Sequence, residues 1–181
     1  GFGSAGHLRG HKATLFEGGI RSSLIVGAPG FMESAVHGTR NDSSVFSAMD
    51  LVPSLLSIAG VSAEADFDGE NLKETLLGNS DASRSQPLFF RRPPDREDFR
   101  HYTELPDLAV REGKWKLFCD YDGGSPELYN LQEDPSETSN VISENSEVAG
   151  RLTHAVLRWN ASMPKDKGES LGQWARKSRK Q

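Results

Sequence analysis

The chain has 181 residues, enough for one domain of ordinary size or one with a small appendage. Hydrophobic residues make up 35% and charged residues 26%, with a net charge of -5; that is a globular composition without the basic face a nucleic-acid partner needs. No apolar run approaches the length of a membrane span, and a single cysteine, Cys119, excludes an intramolecular disulfide.

The first twelve residues interleave Gly1, Gly3, Gly6 and Gly10 with His7, Arg9, His11 and Lys12. Such a backbone passes close to a ligand without Cβ clashes. Glu17-Gly18-Gly19-Ile20-Arg21 is a turn framed by opposite charges. Ser23-Leu24-Ile25-Val26-Gly27 is short, apolar and β-branched and runs to Pro29-Gly30, which predicts a buried strand of an α/β sheet. Open sheets of that class bind ligands beside their strand ends, so the basic, glycine-rich loop ahead of it suggests an anion site. Residues 31–42 are polar and predict a loop. Asp50 is placed to cap a helix with Pro53 in its first turn and Gly60 as its stop. Leu55 and Leu56 are expected in the core. Asp68-Gly69-Glu70-Asn71 predicts a turn before a short helix, 72–77, closed by Gly78. Residues 79–85 are small and polar, where few apolar contacts can cross, and a domain boundary is expected there.

Gln86-Pro87-Leu88-Phe89-Phe90 predicts a strand, and 91–102 a charged loop in which Pro93 and Pro94 forbid a regular element. Leu108–Arg111 and Trp115–Cys119 flank Glu112-Gly113-Lys114, a hairpin signal. Glu127–Leu131 adds a strand, giving an antiparallel sheet of about four strands. Asn145 or Ser146 can cap a final helix whose Val148, Leu152, Val156 and Trp159 form one apolar stripe for a face of that sheet. From Lys165 to Gln181 the chain is a basic, polar tail.

Three stretches carry a resemblance. Leu8-Arg9-Gly10-His11-Lys12-Ala13-Thr14-Leu15-Phe16-Glu17-Gly18-Gly19-Ile20-Arg21 resembles the sulfatase pattern L-R-G-x-K-x-(ST)-(LW)-(YF)-E-G-G-I-R. Met49-Asp50-Leu51-Val52-Pro53-Ser54-Leu55-Leu56 with Ala59-Gly60 is similar to its D-(LI)-x-P-(TS)-L-L…A-G. Arg111-Glu112-Gly113-Lys114-Trp115-Lys116-Leu117, Glu127-Leu128-Tyr129-Asn130-Leu131 and Asp134-Pro135-Ser136-Glu137 resemble R-x-G-x-W-K-L…E-L-Y-(DN)-L…D-P-x-E. The order and spacing are most like the arylsulfatase and N-acetylgalactosamine-6-sulfatase-like branch. A departure is Ser22-Ser23, where the family usually has a proline after I-R-x.

The resemblance implies an α/β fold. Residues 1–80 would be the C-terminal remainder of a doubly wound, alkaline-phosphatase-like catalytic domain. Residues 81–163 would form a small α+β domain with a four-stranded antiparallel sheet and a C-terminal helix, followed by the tail, 164–181. It implies hydrolysis of aryl or glycan sulfate esters, with a calcium ion and a formylglycine made from a Cys or Ser. Both are expected upstream of Gly1, in a missing N-terminal part of the enzyme. Within this chain Cys119-Asp120-Tyr121 fails the C-x-P-x-R pattern at the proline and Ser125-Pro126-Glu127 has the wrong spacing. The chain by itself is therefore expected to be inactive, with no metal ligands of its own. The resemblance also implies a periplasmic or secreted enzyme. Two alternatives stay open: a phosphoric or phosphonic ester hydrolase on the same scaffold, and a non-catalytic fragment.

Cleaving a sulfate ester loads negative charge onto the leaving oxygen, so the site needs fixed cations and donors. By resemblance Lys12 is the motif lysine that contacts the sulfate and the leaving-group oxygen, a role suited to a compact ammonium; without the motif it reads as a solvated loop lysine. His11 falls at a position the family leaves variable, as a substrate contact or a surface imidazole. Arg9, Glu17 and Arg21 match the motif and read as structural, with Glu17 accepting from loop amides and Arg21 pairing with a carboxylate. Arg92 and His101, on the charged loop, are candidate contacts for an anionic glycan; a solvated loop neutralised by Asp95, Glu97 and Asp98 is the alternative.

Overall fold

The structure is a computed structural model and describes residues 4–62, 65–92 and 105–164. In chain order the helices are α1 (Glu17–Ile20), α2 (Leu51–Ile58), α3 (Lys73–Leu76) and α4 (Ser146–Ser162), and the strands are β1 (Leu88–Arg91), β2 (Leu108–Glu112), β3 (Trp115–Cys119) and β4 (Glu127–Asn130). Contacts divide the described residues into two compact units. One joins the segment up to Arg21 to everything from Leu88 onward; the other is Ser22–Pro87. The later border falls just beyond the polar stretch expected to hold it. The earlier border, at Arg21, has no counterpart in the sequence reading.

In the first unit the strands pair antiparallel in the order β1-β2-β3-β4. Gly113, at φ +55°, turns β2 into β3, and the register sets Arg111 opposite Lys116 and Ala109 opposite Phe118. Side chains alternate across the pleat. Leu108, Val110, Leu117, Cys119 and Leu128 point to one face and meet Ala149, Leu152 and Val156 of α4. Each fully buried leucine there contributes roughly 1.5–3 kcal/mol over an exposed one. Trp159, at the end of the predicted stripe, stacks on Phe89 at 5.3 Å. Asn145 makes no side-chain cap bond; its amide donates to the Val141 carbonyl instead, at 3.0 Å. The opposite face of the sheet is covered too. Ala109, Phe118 and Tyr129 pack with Phe16 and Leu131, and the Phe16 and Phe118 rings meet edge to face at 5.1 Å.

In the second unit α2 and α3 both stop as their glycines predict. Gly60 and Gly78 take φ +68° and +82°. Val61 N–H donates to Leu56 O at 2.9 Å and Asn79 N–H to Glu74 O at 2.8 Å, the Schellman pattern. Three expectations are corrected. Asp50 stands at the N-cap position of α2, but its side chain makes no cap bond to that helix. Its carboxylate is buried and accepts from Ser47 N–H at 2.7 Å, Glu70 N–H at 2.8 Å and Arg84 Nη1 at 2.8 Å, tying the helix start to two later segments. Leu55 is 53% exposed and Leu56 half-buried, because the face of α2 that turns inward is that of Ser54, whose hydroxyl accepts from Leu72 N–H at 2.9 Å. Ser23–Gly27 forms no strand. A buried strand needs a paired neighbour; no described residue pairs with this run, and Ile25 is 94% exposed.

No helix of the described residues is long and apolar enough to cross a membrane.

Candidate active-site loop

The segment from Leu8 to Arg21 folds as a tight turn followed by the single-turn helix α1. Thr14 closes the turn three ways. Its N–H donates to His11 O at 3.0 Å, its hydroxyl donates to the same carbonyl at 2.8 Å, and its Oγ1 accepts from His11 N–H at 3.2 Å. Ala13 sits at φ +76°, the value a type II turn demands at its third residue. For a residue with a Cβ that geometry costs about 1–2 kcal/mol, and strain of this kind gathers at ligand-binding positions. Lys12 is thereby held at the second position of the turn, exposed, and its ammonium makes no hydrogen bond or ion pair to a described residue. His11 is exposed beside it, with Nδ1 2.8 Å from the Lys12 carbonyl.

The residues flanking the turn anchor it. The Arg9 guanidinium lies 3.9 Å from the centre of the Phe16 ring. It donates to Tyr129 Oη at 3.0 Å and to the Glu137 carbonyl at 3.3 Å, with Glu127 at 3.4 Å. Burial, with the hydrogen bond to Glu127, pushes the Tyr129 phenol up to about 12, so it stays a donor. Gly18 and Gly19 are required by close approach. A Cβ on Gly18 would stand 2.6 Å from Arg9 O, and one on Gly19 would stand 2.2 Å from Thr14 O.

Glu17, at 1% exposure, enters a buried ionic cluster. Lys116 Nζ, itself fully buried, lies 2.8 Å from Glu17 Oε1 and 2.7 Å from Glu137 Oε1. Glu137 Oε2 accepts the Glu17 N–H at 2.9 Å. Arg111 of β2 reaches Glu17 Oε2 at 3.3 Å, a second cation on that carboxylate beside Lys116. Burial raises the Glu137 carboxyl beyond what Lys116 and the Glu17 amide take back, and burial lowers Arg111. Arg9 and Glu17 are structural as read, but the Glu17 carboxylate is met by Lys116 and Arg111 where loop amides were expected. Lys116, Arg111 and Glu137 stood inside matched motifs without a role. The signal for them was charge: cations on an otherwise apolar hairpin, cross-strand neighbours of like sign, need a buried anion between them.

Arg92 stands away from this turn, just past the end of β1. Arg92 donates to Asp107 Oδ1 at 2.6 Å and to the Leu105 carbonyl at 3.2 Å. His101 lies outside the described residues. Cys119 is buried, and desolvation, with Asp120, Asp107 and Asp122 adding to it, pushes its thiol up to about 11. It is a poor source of a thiolate. Among the described residues no three His, Cys, Asp or Glu side chains are grouped as a metal site would require.

Residues 7–161 match the family model described as N-sulphoglucosamine sulphohydrolase, C-terminal. The chain belongs to the sulfatase family. It is 29% identical over 162 residues to arylsulfatase K of Mus musculus, a match covering 88% of this chain and 28% of that protein. To arylsulfatase A of Bos taurus it is 30% identical over 177 residues, covering 85% of this chain and 32% of the relative. The crystal structure of the PsFucS1 sulfatase from Pseudoalteromonas sp. superposes with a TM-score of 0.62 at 22% identity, over 90% of this chain and 34% of that one. That likeness shows the sulfatase α/β fold, to which the antiparallel sheet and C-terminal helix belong. The chain spans about a third or less of the length of these relatives.

Proposed function

We propose that this chain is the C-terminal part of an enzyme that hydrolyses sulfate esters, aryl or glycan, and that Lys12 is its direct contribution to the chemistry. Residues 1–80 would belong to the catalytic domain and 81–163 to the small domain. The observation that carries the reading is the division of labour in the loop. Arg9, Thr14, Phe16 and Glu17 are engaged in holding the turn. Lys12 is held by none of them and is presented at its tip.

An ammonium there meets a sulfuryl anion as a compact point charge. As the S–O bond breaks, charge grows on the leaving oxygen, and a cation fixed before the reaction stabilises it without reorganisation. In this reading His11, exposed at the same turn, would contact the alcohol part of the substrate. No group of three His, Cys, Asp or Glu side chains among the described residues could hold the family's calcium ion; in this reading the calcium and the formylglycine would belong to the rest of the full-length enzyme.

The test is Lys12→Ala in the full-length enzyme with an aryl sulfate as substrate. The expected result is a loss of about 10²–10³-fold in kcat with an unchanged unfolding midpoint, because an exposed lysine supports no packing. Turnover like the wild type would remove Lys12 from the site.

A further inference from the structure

The loop that presents Lys12 is fastened on both sides of the turn to one residue far along the chain. Glu137 takes the Glu17 N–H on its carboxylate at 2.9 Å, five residues after Lys12. It takes the Arg9 guanidinium on its own carbonyl at 3.3 Å, three residues before Lys12. Its other carboxylate oxygen lies 2.7 Å from Lys116 Nζ, on the central hairpin of the sheet. Glu137 is 2% exposed and holds φ +54°, a backbone state that a residue with a Cβ adopts at a cost. The turn that delivers it is itself braced. The Asp134 carboxylate accepts Thr138 N–H at 2.7 Å and Ser139 N–H at 2.8 Å. A buried acid carrying backbone strain, reached by both flanks of a ligand-facing turn, is more than packing needs.

We infer that Glu137 is a positioning residue for Lys12: it sets the height and tilt of the 11–14 turn over the sheet, and so the placement of the ammonium against the substrate. This rests on the reading of Lys12 given above. Glu137 does not touch substrate in this account. It acts by removing freedom from Arg9 and Glu17, and a displacement near 1 Å of a catalytic group can cost on the order of 10²-fold in rate.

A double-mutant cycle in the full-length enzyme tests it. Glu137→Gln keeps the shape and an acceptor for the Glu17 amide but gives up the charge that orders Lys116. The expected loss in kcat/KM is about tenfold with Lys12 present and under about twofold in the Lys12→Ala background, since nothing is left to position. The loss should fall on kcat more than on KM. Equal losses in both backgrounds would reduce Glu137 to a general structural role and overturn the inference, as would a Glu137→Gln enzyme as active as the wild type. If Lys12→Ala alone is harmless, the underlying reading fails first, and that arm is seen separately. Should Glu137→Gln not fold, Arg9→Gln decides the matter. It cuts the other tether at a half-exposed side chain, and the same non-additivity with Lys12→Ala is required.

Discussion

Replacing Lys116 with methionine strips the ionic cluster of its central cation while keeping its volume. Lys116 Nζ is fully buried between Glu17 at 2.8 Å and Glu137 at 2.7 Å. At an effective dielectric near 20 each contact is worth roughly 6 kcal/mol of Coulomb attraction, set against several kcal/mol per ion for leaving water. The pair nearly balances when intact. The variant keeps both desolvated carboxylates and loses the attraction, and removing one partner of such a pair costs about 3–5 kcal/mol. With an m-value near 2 kcal/mol/M, the urea midpoint should fall by about 2 M. Trp115 and Trp159 pack against the core of this unit and report the transition by fluorescence. The pH dependence should also change. Burial already holds the Glu137 carboxyl above its ordinary value of 4.5, and without the ammonium it rises further. The folded state then binds a proton that the unfolded state releases, so stability falls as pH rises from 4.5 to the raised folded value. The variant should recover part of its deficit near pH 4. A midpoint unchanged at neutral pH, or a deficit that does not shrink on acidification, would refute the reasoning.

Gly19→Ala should cost about 1–3 kcal/mol, because its Cβ would lie 2.2 Å from Thr14 O and 2.7 Å from His11 O. The same displacement moves the turn under Lys12, so turnover should fall beyond what the lost folded fraction explains; thermal melts and kcat on one preparation compare the two. Arg151 donates to Glu112 at 2.9 Å and its hydrogen bond holds that carboxyl below the ordinary 4.5. The stability this pair adds is present above 4.5 and lost as pH falls through the lower folded value. For a partly exposed pair it is at most about 1 kcal/mol. Wild type and Arg151→Gln should therefore differ in urea midpoint at pH 7 and converge near pH 3; a constant gap would show that the pair is not its source.

The elements that rest on local pattern were legible. The hairpin around Gly113, the fourth strand and the stripe of α4 depend on turn chemistry and periodicity, and both are written in adjacent residues. The two helix stops at Gly60 and Gly78 are of the same kind. What failed depended on partners. The run at Ser23–Gly27 has strand composition, but composition supplies no neighbour to pair with. The outward turn of Leu55 follows from Ser54 serving as a polar tie to Leu72, which no helical wheel shows. Asp50 does hold the N-cap position, but its carboxylate answers Glu70 and Arg84 far along the chain in place of the cap bond. At the candidate site, the motif picks out Lys12 and the anchoring role of Arg9 and Glu17 was readable. The cations that answer Glu17 were not, since Lys116 sits between Trp115 and Leu117 and reads as the solvent side of a strand until Phe16 covers that face.

The fastening of Arg9 and Glu17 to Glu137 spans 128 and 120 residues of chain. A ribosome adding roughly 5–20 residues per second leaves the Arg9 guanidinium and the Glu17 amide waiting about 6–26 seconds for their counterpart to be made. During that interval the stretch lacks its ties to Glu137, and closure of so long a loop is entropically late. The 11–14 turn is thus fastened only after residue 137 has been made, and chaperone or protease access to it before then is a matter of timing in translation.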